Sequence, residues 1–397
     1  MCILSIVIPT KNRYEYLTLV LESIIKLNLN QTEIIIQDNS DDNEGFLIYL
    51  NRLNNTSIKY FYEQGQLSQT QNSDLAVSHA TAKYICYIGD DDTVTSILPK
   101  ICFIMSKYKI DAINFSLIDY DWPDLNLYDS VKKKRPPLYV ELKKIKVKQI
   151  NTKKILKFYL NHGMQSNTLL PKAYHGIISR EILEIIKEKS GSYFPGPSPD
   201  MDNAVAAACI VDRHYYIQYP MIISGVGYKS ANGMGRRGVH KGNIKDAKQL
   251  APDVEKKWNQ YIPKLWIGQT IWPESCIKAL MSMQEFDLLK KMNFCAMYGR
   301  IYLCWPEYRK QLKQYIKSSK MMIIILFNII YDIIIWIIKN NLKEIRLIIG
   351  FDYYTNEKLS IISANEKVKE LLKNKYGSDE FVIQLIENQI AEKQRKY

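Results

Sequence analysis

Four short apolar runs, at residues 3–9, 34–37, 58–62 and 84–88, punctuate the start of the chain at near-regular intervals. Between them, residues 14–27, 44–53 and 70–82 place apolar side chains at helical spacing. Tyr16, Leu17, Val20, Leu21, Ile24 and Ile25 mark the first of these helices, and Leu75, Ala76 and Ala80 the third. Short uninterrupted apolar runs are strands buried on both faces. Their alternation with helices over short links, β-α-β-α-β-α-β, predicts a parallel sheet covered on both sides. Right-handed crossovers then bring the carboxyl ends of all four strands to one edge. Open α/β sheets bind their ligands at that edge, and here it collects Thr10, Asp38 and the triplet Asp90-Asp91-Asp92.

Three adjacent carboxylates repel one another and make poor core material. In an extended segment Asp90 and Asp92 point the same way and Asp91 the other. Such a pair offers the oxygen ligands that Mg²⁺ or Mn²⁺ prefer, and a diphosphate bound there needs its charge neutralised. The bland alternative is a solvated acidic turn, which the apolar strand directly in front disfavours. The turn after the first strand, Pro9-Thr-Lys-Asn-Arg13, has no glycine cradle. That excludes a dinucleotide-binding Rossmann fold and leaves a mononucleotide one. A literal G-x-G-x-x-G at residues 233–238 lacks a preceding strand and a following apolar helix. Its surroundings, residues 225–242, carry Lys229, Arg236, Arg237, His240 and Lys241. They read as a mobile cationic loop, either plain disordered surface or a lid closing over phosphates.

Beyond a helix near 96–107 and a strand near 111–118 the pattern loosens. Residues 131–148 combine the basic run Lys132 to Arg135 with a proline pair and an alternating stretch, the look of a polar-faced ribbon or edge. Residues 195–203, Pro-Gly-Pro-Ser-Pro-Asp200-Met-Asp202-Asn203, form a stiff turn into a small-residue helix. Ser198 or Asp200 there is placed to cap the helix; a carboxylate on such a loop is also suited to general-base work.

Net charge is +13, unevenly spread: the first 100 residues hold 7 basic and 12 acidic side chains, the remainder 47 and 29. A basic second part points to an anionic partner. No nucleic-acid-binding signature occurs, so phosphorylated substrates or anionic lipid are expected instead of nucleic acid. Seven scattered cysteines without a C-x-x-C pair read as reduced thiols of a cytosolic protein, and no signal peptide is recognisable at Met1. Residues 321–338 are apolar except for Asn328 and Asp332, which share one helical stripe, and lysines and arginines flank them. Eighteen residues is the lower limit for a bilayer span, and a central Asp costs about 2.5–3.5 kcal/mol on insertion. A helix lying on a membrane surface, or packed against a partner, is the expectation. Residues 365–397 read as two short amphipathic helices around Gly377.

Taken together, Ile6-Val-Ile-Pro-Thr-Lys-Asn-Arg13, Ile36-Gln-Asp38-Asn-Ser40, Gln71-Asn72 and Ile88-Gly-Asp-Asp-Asp92 resemble the family 2 glycosyltransferases, of the bacterial capsule and cell-surface polysaccharide type. The resemblance covers residues 1–120 in order. It implies the GT-A fold, a mostly parallel central sheet flanked by helices, here with an α-helical C-terminal extension. It implies an inverting, Mn²⁺- or Mg²⁺-dependent enzyme that moves a sugar from a nucleotide diphosphate sugar, typically UDP-linked, to a glycan or lipid-linked acceptor at the inner membrane face. Carried over by motif, Pro9, Thr10, Arg13, Asn72 and Asp91 line the nucleotide site and Asp38 accepts a hydrogen bond from the base. Asp90 lies by the ribose, and Asp92 with Asp90 holds the metal. Arg236 and Arg237 belong to the lid, and Asp200 is the base, although Pro199 stands where the family usually has Glu. The Q-x-x-R-W motif and multiple spans of the processive synthases do not occur, which implies single additions. The expected division is 1–120 for the donor half, 121–243 for the acceptor half with base loop and lid, and 244–397 for a helical region. Two alternatives stand beside it: a sugar nucleotidyltransferase, which wants a glycine-rich first turn, and a scaffold protein that binds nucleotide sugars without chemistry.

Overall fold

The computed structural model describes residues 2–125, 136–348 and 352–395; the basic run Lys132 to Arg135 lies outside them. The strands are β1 (Leu4–Thr10), β2 (Thr32–Asp38), β3 (Ile58–Tyr62), β4 (Tyr84–Tyr87), β5 (Thr93–Val94), β6 (Ala112–Asp121), β7 (Leu138–Val140), β8 (Val147–Ile150), β9 (Gly176–Ser179), β10 (His214–Val226) and β11 (Tyr353–Thr355). They form one sheet of order β11-β7-β6-β9-β4-β1-β2-β3, with β10 paired to β5, β6 and β8. The β3-β2-β1-β4 half is parallel throughout, as the alternation of strands and helices requires. Antiparallel pairs enter from β9 onward. The sheet is therefore mixed, with one parallel run at β3-β2-β1-β4 and a second parallel pair, β6 with β10, which carries register shifts near Pro220. It is an α/β arrangement, with helices on both faces and a helical C-terminal region.

Residues of β1 alternate between two cores, since successive strand side chains point to opposite faces. Ile6 and Ile8 join the cluster that contains Leu17, Val20, Leu21 and Ile24 of helix Tyr14–Ile25. Val7 joins the opposite cluster with Ala204, Val205 and Ala208 of helix Pro199–Ile210. The small side chains of that helix let it lie close on the sheet and fix where its first turn points.

Two regions bear on expectation. Of the ribbon or edge expected over 131–148, the described residues give the edge: β7 pairs with β6 and β11, while β8 pairs with β10 alone among the described strands. Alternation gave both segments strand character, but their partners come from distant sequence. The two helices expected around Gly377 form, as Ile361–Tyr376 and Asp379–Gln394, and are capped by Ser360 and Ser378. Ile361, Ala364, Val368, Leu372, Val382, Ile386 and Ile390 complete the first core. Asn365 Nδ2 also donates to Val94 O at 3.0 Å. The last part of the chain thus covers the sheet built by its beginning.

Candidate active site

The acidic triplet follows β4 as a turn, not as an extended segment: Asp92 N donates to Gly89 O at 3.2 Å. A turn rotates successive side chains apart, so Asp90 and Asp92 do not point the same way as expected. Asp90, fully buried, faces β1. It accepts from Thr10 Oγ1 at 2.6 Å and Arg13 Nε at 3.1 Å, and its other oxygen touches the same guanidinium. Asp91 turns toward Arg13 too, with Nη1 3.9 Å away, and accepts Gly227 N–H at 3.3 Å on Oδ2. No described residue donates to its Oδ1.

Asp92 turns the other way. It accepts Gly89 N–H at 2.7 Å and Gly225 N–H at 2.8 Å, and His175 Nε2 lies 2.6 Å from Oδ2. It fastens three segments: the end of β4, the end of β10 and the loop before β9. Asp92, expected as the main metal ligand, is thus engaged mostly through Oδ2, and Oδ1 carries Gly225 N–H alone. Gly225 is required by the same packing, because a Cβ there would stand 1.7 Å from Asp91 O.

Burial works against the charge on Arg13, yet Asp90 and Asp91 outweigh it and hold the guanidinium more firmly protonated than usual. Burial also raises both carboxyls, Asp91 to about 7, with Arg13 opposing. Two buried carboxylates share one arginine, so the site favours one more positive charge. No group of three or more His, Cys, Asp or Glu side chains among the described residues forms a closed metal cage. The donor set fits a divalent ion held by Asp91 and completed by ligand oxygens, as is usual for Mg²⁺. Asn72 donates to Thr10 O at 3.2 Å, and its buried Oδ1 has no protein partner among the described residues. That orphaned acceptor beside Pro9 and Thr10 is suited to a nucleotide.

Asp38 ends β2 at the sheet edge, as expected. It is fully buried, accepts Tyr14 Oη at 2.5 Å and Tyr60 Oη at 2.6 Å, and takes Ser40 N–H at 2.8 Å. Burial and these bonds to Asp38 push both phenols up, which keeps them as donors. The two phenols share Oδ2, while Oδ1 takes Ser40 N–H alone, so Asp38 both shapes the pocket wall and keeps acceptor capacity on Oδ1.

Asp200 lies in the first turn of helix Pro199–Ile210, with Ser198 Oγ donating to its carboxylate. Its backbone is tied by Asn167 Nδ2 at 2.9 Å. Asp202, two residues on, is fully buried and accepts Gly196 N–H at 2.8 Å; burial, with the Asp200 charge behind it, pushes its carboxyl well up. Of the two, only Asp200 is partly exposed. The fold brings Asp200 to the triplet: burial raises the Tyr87 and Tyr174 hydroxyls, and Asp200 raises both further. Asp90 adds to the first, Asp92 and Asp91 to the second.

The loop between helix Thr152–Asn161 and β9 carries residues that sequence reasoning missed. Lys172 donates to Asn167 Oδ1 at 3.2 Å; burial lowers its ammonium to about 8, with Asp200 opposing. His175 stacks on Tyr174 at 3.9 Å and adopts a left-handed backbone, φ 56°. No motif marks this stretch. A histidine in an aperiodic loop with positive φ was its only signal, and φ is not read from sequence.

The expected mobile lid is ordered. Ser230 caps a short helix, Ala231–Arg236, inside residues 225–242. Arg236 pairs with Asp121, and Arg237 lies 3.6 Å over the Tyr228 ring and donates to Tyr228 O. Lys229 and Lys241 pair with Glu15 and Glu307. Neither arginine touches the triplet in this structure.

The sequence profile described as "Glycosyl transferase family 2" matches residues 5–165. Glycosyltransferase GlyG of Streptococcus pneumoniae is 25% identical over 128 residues, 32% of this chain and 42% of that protein. The chain therefore matches less than half the length of this curated relative. Among solved structures, Staphylococcus aureus TarS 1–349 in complex with UDP-GlcNAc aligns at TM-score 0.43 and 12% identity, over 82% of this chain and 89% of that one. The mannosyltransferase PcManGT from Pyrobaculum calidifontis, in complex with GDP-Man and Mn²⁺, aligns at 0.38 and 13%, over 83% and 87%. Likeness at that level says nothing of donor or acceptor here. Residues 5–165, the part similar to glycosyl transferase family 2, hold Thr10, Arg13 and the whole acidic triplet.

Proposed function

We propose that the chain transfers a sugar from a nucleotide diphosphate sugar, UDP-linked, to a glycan or lipid-linked acceptor hydroxyl, with inversion. The observation that carries this reading is the pairing of two acid groups with different surroundings. Asp90 and Asp91 are buried against Arg13 at the sheet edge, while Asp200 stands partly exposed in the first turn of helix Pro199–Ile210, near enough that its charge and the triplet's both act on Tyr87 and Tyr174. Inverting displacement needs that division. The leaving diphosphate must be stabilised on one side of the anomeric carbon, and the attacking hydroxyl deprotonated on the other.

Pro9, Thr10 and Asn72 would hold the nucleotide, and Arg13 would orient the acidic turn. Asp91, assisted by Asp90, would hold Mn²⁺ or Mg²⁺. When bound, such an ion neutralises charge developing on the diphosphate. Asp200 takes the acceptor proton as the new glycosidic C–O bond forms and the C–O bond to the diphosphate breaks. Arg236 and Arg237 would reach the phosphates only after leaving Asp121 and Tyr228. Binding is tested by thermal stabilisation with UDP in the presence and absence of Mn²⁺. A ligand at a hundred times its Kd adds about 2.7 kcal/mol. Slow hydrolysis across a nucleotide-sugar panel then identifies the donor. No stabilisation by any nucleotide, with or without metal, would sink the reading.

We also place the enzyme at the cytoplasmic membrane surface. Helix Ser319–Ile348 contains a 24-residue stretch, Ser319–Leu342, long and apolar enough to cross a bilayer, and its most apolar part is almost entirely exposed. Its polar stripe faces inward, with Asp332 2.7 Å from Arg300 of helix Phe294–Cys304. Phe327, Ile330, Ile334 and Trp336 face outward. Because the middle of the helix is docked on a folded domain, a span would drag that domain into hydrocarbon, whereas an in-plane helix buries only the apolar face. Release from membranes by carbonate supports surface attachment; resistance to it would favour a span.

A further inference from the structure

Arg346, near the end of the apolar helix, lines an open groove of about 610 Å³ that the transfer reaction leaves unused. Its other walls are the segment between β7 and β8, with Lys143, Lys144 and Lys146, and the C-terminal helices, with Lys375, Tyr376 and Phe381. The carboxylates bonded to the lining are already neutralised. Glu141 pairs with Lys143 at 2.6 Å, and Asp352 accepts Arg346 Nε at 3.0 Å. Lys144, Lys146 and Lys375 are exposed and make no ion pair among the described residues. Phe381 stands 58% exposed beside them. The outward apolar face of the long helix runs up to this groove through Leu342 and Ile345, both exposed.

Unpaired lysines beside an exposed aromatic, continuous with an apolar helical face, make a surface for a partner that is anionic and apolar at once. A soluble polyanion would use the lysines and leave the apolar area wet. Anionic phospholipid in a bilayer satisfies both. We propose that this groove receives the phosphate-bearing headgroup of an anionic phospholipid while helix Ser319–Ile348 lies in the same leaflet. This rests on the surface-attachment reading above and adds a lipid preference to it.

The test is flotation of the full chain with vesicles of phosphatidylcholine alone and vesicles with phosphatidylglycerol added. A lysine near a membrane surface contributes about fivefold in binding, so three contribute about a hundredfold. Wild type should prefer the anionic vesicles by about that factor. The triple variant Lys144→Gln, Lys146→Gln, Lys375→Gln should lose the preference while keeping its melting temperature and its binding to phosphatidylcholine. Phe327→Ser with Trp336→Ser should weaken binding to both vesicles. Equal wild-type binding to both, or a triple variant that keeps the preference, overturns the groove and leaves surface attachment standing. A wild type that binds neither overturns both. Soluble glycerol phosphate that displaces the protein from anionic vesicles at matched phosphate concentration would make this a free-phosphate site and overturn the lipid assignment.

Discussion

The donor and acceptor sides of the site differ in the range of the contacts that build them. On the donor side, Thr10, Arg13, Asn72 and Asp90 belong to β1, the turn after it, helix Gln69–Ser78 and the end of β4. Each is placed by a βαβ unit whose strands and helices read locally. On the acceptor side, His175, Asp200 and Gly225 arrive from three segments with no common local pattern, and two of them meet on Asp92. The first side is therefore set by secondary structure, and the second by one buried carboxylate, Asp92, on which separate segments meet. Substitutions on the acceptor side should separate chemistry from stability more sharply than those on the donor side.

The largest effect expected is at Asp200. Asp200→Asn should keep donor binding within a few-fold and lose transfer by about 10²–10⁴-fold, the usual cost of a missing general base. Asp202→Asn should lose far less activity, since its carboxyl is buried against Gly196 and turned from the cleft. Steady-state transfer and equilibrium donor binding on both variants decide the matter. A dead Asp202→Asn with a near-normal Asp200→Asn reverses the assignment.

The same contrast divides the acidic turn. Asp92→Ala strips the buried acceptor from Gly89, Gly225 and His175. It should lower stability by about 3–5 kcal/mol, the range for breaking a buried polar pair on one side. Asp91→Asn should leave the melting temperature nearly unchanged and remove the Mn²⁺-dependent part of UDP binding. Calorimetric titration of UDP with and without Mn²⁺ separates the two. If Asp92→Ala is as stable as wild type, the turn is not the fastening point described here.

These contrasts mark what could be read from sequence. The parallel half of the sheet, the edge that gathers Thr10 and the triplet, and the loop bearing Asp200 follow from periodicity, crossover handedness and proline. What periodicity does not carry is direction. Whether Asp92 faces the ligand or the interior depends on a turn closed by Gly89 and on partners 83 and 133 residues away. Asp38 shows the same limit: its place at the end of β2 was legible, but its capture by Tyr14 and Tyr60 was not. The lid arginines read as free because their partners, Asp121 and Tyr228, lie in or beside strand ends whose approach is a tertiary matter.

Asp38 offers a smaller test of the donor side. Asp38→Asn turns one accepting group into a donor opposite two phenols, leaving a buried hydroxyl unmatched at about 1–3 kcal/mol. UDP binding should weaken to the same degree with and without Mn²⁺, because the pocket wall moves and the metal ligands do not. Loss of the metal-dependent increment alone would put Asp38 at the diphosphate.

The smallest effect is a pH dependence that belongs to Asp91. Burial raises its carboxyl to about 7, well above the value expected in the unfolded chain. A carboxyl raised on folding favours the folded state when protonated. Its contribution is complete below the unfolded value and is lost as pH rises through about 7. Metal-free protein should therefore become less stable between pH 6 and 7 by about 1 kcal/mol from this group, with little further change above pH 8. Mn²⁺ should reverse the slope, because a cation beside Asp91 favours the ionised form and its binding releases a proton. Denaturant midpoints across this pH range, with and without Mn²⁺, measure the effect in wild type and in Asp91→Asn. A wild-type slope that survives in Asp91→Asn assigns the titration to another group and leaves Asp91 without the unbalanced charge that makes it the ligand.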